Sequence, residues 1–246
     1  MGRRRDFDAM RRAGRVVAEM HDEIRAALQP GVTTAALDRI GRDVLERRNA
    51  TSNFLGYHGY PAVICASVND TVVHGIPGRR RLHDGDLIAI DCGAVVDGWH
   101  ADAAFSAIVG DGSDEAHALV AAADAALEAA IAAMVAGNRM GDVGHAVESV
   151  VTAAGFSVVD GYCGHAIGRA MHEDPLVPNE GRPGKGRQLK VGDAYAAEPM
   201  VNAGGPDTHV LDDGWSVVTV DGSWSAHTEQ TILVTDDGPE VTTRLP

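Results

Sequence analysis

The sequence predicts an α+β fold in which one helix–helix–hairpin unit occurs twice, with internal halves at about 1–110 and 111–246 of a single domain. Three observations predict it. Apolar residues recur at helical spacing through Met10, Ala13, Val17, Met20, Ile24 and Leu28. They do so again 106 positions later, through Ala116, Leu119, Ala123, Ala126, Ala130 and Met134. Each run ends at a glycine, Gly31 or Gly137, and a second amphipathic segment follows at the same offset: Leu37, Ile40, Val44 and Leu45 against Val143, Ala146, Val150 and Val151. Between the two helix pairs lies Asp97-Gly98, the strongest short-range signal for a two-residue β-hairpin turn. Merging the two sheets around a pseudo-twofold axis is the economical way to bury such a repeat.

Each element has its own reason. The first helix stops at Pro30-Gly31, since proline cannot continue it and glycine accepts the left-handed terminal conformation. The run Leu87-Ile88-Ala89-Ile90 leads as a strand into Asp91, and Trp99 onward returns as its partner. With Asp97 and Gly98 as the turn, Val96 pairs with Trp99 and Gly93 with Asp102. The Ala-rich segment from Ala116 to Gly137 is interrupted by Asp124 and Glu128, so it reads as a packed helix and not a membrane span. Asn179–Gly186 and Gly204–Asp207 are loop and turn by composition. Thr231-Ile232-Leu233-Val234 is the last clear strand.

The composition narrows the function classes. Apolar content of 45% is ordinary for a globular protein, and the net charge of −14 argues against a specific nucleic-acid surface. The amino end is locally basic (Arg3, Arg4, Arg5, Arg11, Arg12, Arg15) and reads as a solvated helix face, with weak contact to ribosomal RNA as the sharper alternative. Cys65, Cys92 and Cys163 form no CxxC pair, which fits reduced thiols and a cytoplasmic location. No apolar stretch follows the basic start, so no secretory signal is expected.

Chemistry gathers in five residues: Asp91, Asp102, His165, Glu198 and Glu229. In the hairpin register above, Asp91 and Asp102 share a face as diagonal neighbours, roughly 7–8 Å apart at Cα. Two like charges so placed repel unless a positive group sits between them. Solvation or salt-bridging would serve for an isolated pair. His165, Glu198 and Glu229, however, also sit in apolar or strand-like surroundings, where acids are costly to bury unless paired or metal-bound. Four carboxylates and one imidazole suit hard-to-borderline divalent ions, and so many oxygens suggest two of them. Taken alone, His74 and His172 read as ordinary structural histidines, as do His58, His100 and His145.

The segments around these residues resemble type I methionine aminopeptidases. The resemblance is carried by Tyr57-His58-Gly59-Tyr60-Pro61, Ser67-Val68-Asn69-Asp70, His74-Gly75-Ile76-Pro77, Asp91-Cys92-Gly93 and Asp97-Gly98-Trp99-His100-Ala101-Asp102. The stretch Cys163–Pro175, Glu198-Pro199-Met200-Val201-Asn202, Asp213-Gly214-Trp215 and Ser225-Ala226 complete it in the family's order. It covers almost the whole chain, in the short catalytic-domain form.

The resemblance implies the pita-bread fold and two divalent ions (Co, Mn, Fe, Zn or Ni) held by Asp91, Asp102, His165, Glu198 and Glu229. It implies water attack on the first peptide bond, with Glu198 handling the proton and His74 and His172 contacting the scissile amide. Tyr57, Tyr60, Cys65, Met171 and Trp215 match the methionine pocket. The implied substrates are peptides and nascent chains with amino-terminal methionine and a small second residue, processed by a monomer with possible ribosome contact and no membrane. The rivals are a proline-specific peptidase of the same fold and a catalytically silent binding paralogue.

The chain departs from the family pattern at several places. Met171 replaces a usual Phe, Ala166 and Ala170 replace glycines, and Ala196-Ala197 replaces a Thr-containing pair. His227-Thr228-Glu229-Gln230 stands where the family favours Gln, an aromatic residue, Glu and His. These changes touch neighbours of the implied ligands, positions that commonly tune metal affinity or activity by about 10–100-fold.

Overall fold

The computed structural model describes residues 6–245; Arg3, Arg4 and Arg5 of the basic amino end lie outside that range. Helix α1 (Phe7–Ala27) starts at Asp6, whose carboxylate accepts from the Ala9 N–H at 3.0 Å. Helix α2 (Thr34–Arg47) is capped by the Thr33 hydroxyl, which accepts from Ala36 at 3.2 Å. Helix α3 (Asp114–Ala133) is capped by Ser113, with Asp114 and Glu115 in its first turn facing the positive end of the helix dipole. Helix α4 (Met140–Ala153) opens with Asp142 accepting from the Arg139 N–H at 2.7 Å. The repeat holds in detail: α2 and α4 each have 14 residues and start 106 positions apart, and α1 and α3 end at the same offset.

The first half continues into β1 (Ile64–Val68), β2 (Thr71–Val73), β3 (Leu87–Val96) and β4 (Trp99–Ile108). The second half continues into β5 (Ser157–Val158), β6 (Gly164–Ala166), β7 (Glu173–Val177), β8 (Ala194–Ala197) and β9 (Met200–Asn202). It closes with β10 (Thr208–Val210), β11 (Val217–Thr219), β12 (Ser225–His227), β13 (Gln230–Thr235) and β14 (Gly238–Val241). Every pairing is antiparallel: β1-β3-β4 form one sheet and β14-β13-β8-β6-β7 another, with two three-stranded sheets, β10-β11-β2 and β12-β9-β5, beside them. The pita-bread architecture inferred from the sequence is present.

Two apolar cores match the two halves. Met20, Ile24, Leu37 and Val44 of α1 and α2 pack on Ile64, Ile88 and Ile90. Leu119, Leu127, Ala130, Val143 and Val147 of α3 and α4 pack on Tyr195, Ile232 and Val234. By length and composition α3 would span a membrane, but its Leu119–Ala123–Ala126–Ala130 stripe is spent on this core. The basic face of α1 is solvent-exposed at Arg12 and Arg15, and Arg11 and Arg12 are also ion-paired. Arg11 reaches Glu240 and Asp8, each at 2.7 Å, and Arg12 reaches Asp97 at 2.6 Å. Two-thirds-exposed Asp97 lies close enough for the long arginine stem to bridge.

The hairpin has the predicted register, with Val96 opposite Trp99 and Gly93 opposite Asp102. Both turn residues have positive φ, 54° at Asp97 and 73° at Gly98, as a primed turn between twisted strands demands. Arg169 locks it from outside, donating to the Asp97 and Gly98 carbonyls while stacking on Trp99 at 4.4 Å.

The halves meet where β4 touches the segment before β13. Ala104 and Glu229 exchange backbone hydrogen bonds of 3.2 and 2.9 Å, bridging the two main sheets. Two residues along each strand, Thr231 Oγ1 accepts from the Asp102 N–H at 2.9 Å and donates to its carbonyl at 2.8 Å. Replacing fully buried Thr231 with Val keeps the volume but strands both Asp102 backbone groups. We expect a loss of about 1–3 kcal/mol, seen as a lower urea midpoint at unchanged m. An unchanged midpoint would mean the contact contributes nothing to stability.

Candidate metal centre and active site

The junction of the halves places the five acid and imidazole groups around one cavity. Asp91 and Asp102 come from β3 and β4, His165 from β6, Glu198 from just after β8, and Glu229 from just before β13. Ligand atoms of Asp102, His165 and Glu229 converge within 4.8 Å of one another. The Asp91 carboxyl neighbours that of Asp102, and Glu198 Oε1 lies 3.5 Å from His165 Nε2. Asp102, His165 and Glu229 are 3–4% exposed, so water is nearly shut out of the cluster.

The electrostatics are unbalanced. Burial raises Asp91 to about 7, with the hydrogen bond to Asp102 opposing. Burial first, and neighbouring carboxylates second, hold Asp102, Glu198 and Glu229 well above the ordinary carboxylate range. No Lys or Arg of the described residues lines the cavity. Asp91 Oδ1, Asp102 Oδ1 and Glu229 Oε1 are covered and have no hydrogen-bond partner. His165 Nδ1 faces the Ala166 carbonyl at 3.1 Å, which assigns that nitrogen the proton and leaves the Nε2 lone pair toward Glu198. Acceptors that face one another in a covered site are relieved by a proton or by a cation between them, and these oxygen and nitrogen donors fit divalent ions of the Mn, Fe, Co, Ni or Zn kind.

The rest of the wall is apolar and aromatic. The cavity holds about 160 Å³ open to water and is lined by Phe54, Tyr57, Tyr60, Cys65, Met171 and Trp215 as well as the acids. All five pocket residues read from the sequence are therefore on it. Tyr60 donates toward the Ile64 and Gly75 carbonyls at 3.0 and 3.1 Å, which fixes its ring edge-on to Trp215. Burial, then Asp91, pushes the Cys65 thiol well up, so it is a neutral wall group. Met171 is 5% exposed and shapes the slot with a flexible thioether.

His74 and His172 flank the same space. His74 follows β2 with φ 61°, a left-handed conformation a side chain tolerates only when its surroundings enforce it. The next residue, Gly75, passes close to β1: a Cβ there would sit 2.5 Å from the Ala66 carbonyl. His172 Nδ1 is 2.7 Å from the Tyr57 hydroxyl, and its ring is 4.2 Å from that of His165. Burial, then His172, lowers His74 to about 4, so its imidazole is neutral. His100 stays outside the cavity lining, its backbone N–H on the Gly168 carbonyl.

Sequence reasoning missed two residues. Phe54 lines the cavity from an irregular segment with no periodicity to mark it. His227, noticed only as a departure from the family pattern, is buried with Nε2 3.8 Å from Glu198 Oε2. Ala166, another departure, is buried in the second core and leaves the neighbouring His165 in reach of the cavity.

Comparison with known proteins shows the family of the chain. The pattern of metallopeptidase family M24 matches residues 8–236, and the chain belongs to that family. Within it the chain falls with the type I methionine aminopeptidases, metal-dependent exopeptidases. It is 54% identical over 245 residues to methionine aminopeptidase 1 of Mycobacterium tuberculosis, covering 97% of this chain and 92% of that one. The crystal structure of methionine aminopeptidase from Thermotoga maritima superposes with a TM-score of 0.97 at 39% identity, covering 100% of both chains. A prolidase from Pyrococcus furiosus shares the fold alone, with a TM-score of 0.80 at 16% identity over 98% of this chain and 64% of that one.

Proposed function

We propose that this chain removes amino-terminal methionine from peptides and nascent chains whose second residue is small, using two divalent ions. The observation that carries the reading is the set of three orphaned carboxylate oxygens at one side of a cavity whose other wall is apolar. Asp91, Asp102, His165, Glu198 and Glu229 would hold the ions. When bound, such a pair supplies Lewis acidity toward a water and the scissile carbonyl.

The chain's own residues supply the rest. Phe54, Tyr60, Cys65, Met171 and Trp215 exclude water and receive the unbranched thioether. Glu198 takes the proton of the attacking water and passes it to the leaving amine. His172, steadied by Tyr57, and His74, steadied by its strained backbone, face the scissile amide and donate to the developing charge.

The test is methionine release from Met-Ala-Ser by metal-stripped protein, titrated with Mn, Fe and Co. Activity is expected to return with metal and to fall by about 10²–10⁴-fold in Glu198→Gln. Silence with every ion, in protein shown to be folded and loaded, would overturn the reading. Release of Xaa from Xaa-Pro peptides with Met-Ala-Ser untouched would replace it with the proline-specific one.

A further inference from the structure

His227 is the buried group the proposed reaction leaves without a task. Its side chain is 3% exposed, and Nε2 is covered with no hydrogen-bond partner. Leaving such an atom unpaired is costly. The residue cannot simply turn away. Ser106 Oγ accepts from the His227 N–H at 3.0 Å and donates to its carbonyl at 2.9 Å, stitching both backbone groups to β4. On this fixed backbone the ring places Nε2 3.8 Å from Glu198 Oε2.

Glu198 stands between two imidazoles. Oε1 lies 3.5 Å from His165 Nε2, and Oε2 lies 3.8 Å from His227 Nε2. The two rings differ in what they offer. His165 spends a proton on the Ala166 carbonyl, so its Nε2 carries a lone pair. His227 has no such carbonyl partner among the described residues, and its Nε2 is the ring nitrogen that faces the carboxylate. An ionised carboxylate only accepts, so a nitrogen facing Oε2 is satisfied only as a donor.

We propose that His227 is a positioning residue for Glu198: its Nε2–H donates to Oε2 and leaves Oε1, beside His165, as the oxygen turned to the metals. The proposed contact closes the 3.8 Å separation to a charge-assisted hydrogen bond of about 2.8 Å. The inference rests on Glu198 being a metal ligand. It assigns a role to a residue that stands where the family favours Gln, a side chain that also carries an N–H donor. The substitution thus exchanges one donor for a stiffer one.

The experiment compares His227→Leu, which has no donor, with His227→Gln, which restores one. Mn²⁺ affinity of the metal-stripped proteins is measured by calorimetry, and the His227 tautomer of the Zn²⁺-loaded parent by ¹⁵N NMR. Metal affinity is expected to fall by about 10–100-fold in the Leu variant and to recover in the Gln variant, with Nε2 protonated in the parent. Leu-variant affinity equal to the parent's would overturn the proposal. So would an unprotonated Nε2 on loading, which would make His227 a ligand. Should the Leu variant fail to fold, the tautomer and the Gln variant decide. Neither readout needs turnover, so a parent that binds metal but releases no methionine would defeat the proposed function and leave this contact measurable.

Discussion

Asp102→Asn is expected to abolish metal-dependent methionine release and, in the same protein, to raise the stability of the metal-free fold. The two effects have one cause. Asp102 is nearly fully buried, its Oδ1 has no partner, and Asp91 and Glu198 press on it electrostatically. Bound ions would repay that repulsion. Without them it is a cost the amide relieves. The sign with pH follows. The carboxylate pKa values here are raised on folding, so the metal-free native state binds more protons than the unfolded chain above about pH 4. The cluster's contribution is therefore complete below that pH and is lost as pH rises through about 7, where Asp91 titrates.

Thermal unfolding at pH 5 and pH 8, with and without Mn²⁺, checks both effects. Metal at a hundredfold excess over Kd should stabilise the parent by about 2.7 kcal/mol, roughly 5–11 °C in Tm for a chain of this size. The variant should show no metal shift and a shallower fall of metal-free Tm between the two pH values. An equal metal shift in both proteins would remove Asp102 from the ligand set.

The second large effect is at His172. Its Nδ1 is anchored by the Tyr57 hydroxyl at 2.7 Å, so the opposite edge of the ring is presented in a fixed direction. His172→Ala should lower kcat by about 10²–10⁴-fold while Mn²⁺ affinity measured by calorimetry stays at the parent's value. Tyr57→Phe removes the anchor but not the ring, so a smaller loss, about tenfold or less, is expected. A Tyr57→Phe loss as large as that of His172→Ala would mean that the hydroxyl itself touches substrate. Loss of metal affinity in His172→Ala would make the histidine a ligand.

What the sequence disclosed was local or repeated. Asp97-Gly98 determined the turn, the turn determined the register, and the register put Asp91 and Asp102 on one face, because side-chain direction in a strand has a strict period of two. The helix pairs were legible because their apolar stripes and terminal glycines occur twice. His165, Glu198 and Glu229 were legible as a group through motif resemblance, since an acid in an apolar run says nothing about which distant residue it meets. The Ala104–Glu229 bridge had no signal at all: one backbone pair joining segments 125 positions apart leaves no periodicity. Strands of two or three residues such as β5, β6 and β9 are too short for alternation to appear. Phe54 stayed hidden for the same reason, and His227 because a single replaced residue does not say where its ring points.

The placement of the candidate ligands on both sides of the Ala104–Glu229 bridge has a consequence for how the protein is made. Asp91 and Glu229 are 138 positions apart, so in polymer language the loaded centre is a cross-link closing a very long loop. Such a clip removes more freedom from the unfolded chain than one joining near neighbours. It also cannot form early. During synthesis the first half can assemble its helices and hairpin, but its two aspartates meet no counterpart until His165 and Glu198 have emerged, and the set stays incomplete until Glu229 follows. On the proposed ligand set, metal capture is expected to be the closing event of maturation.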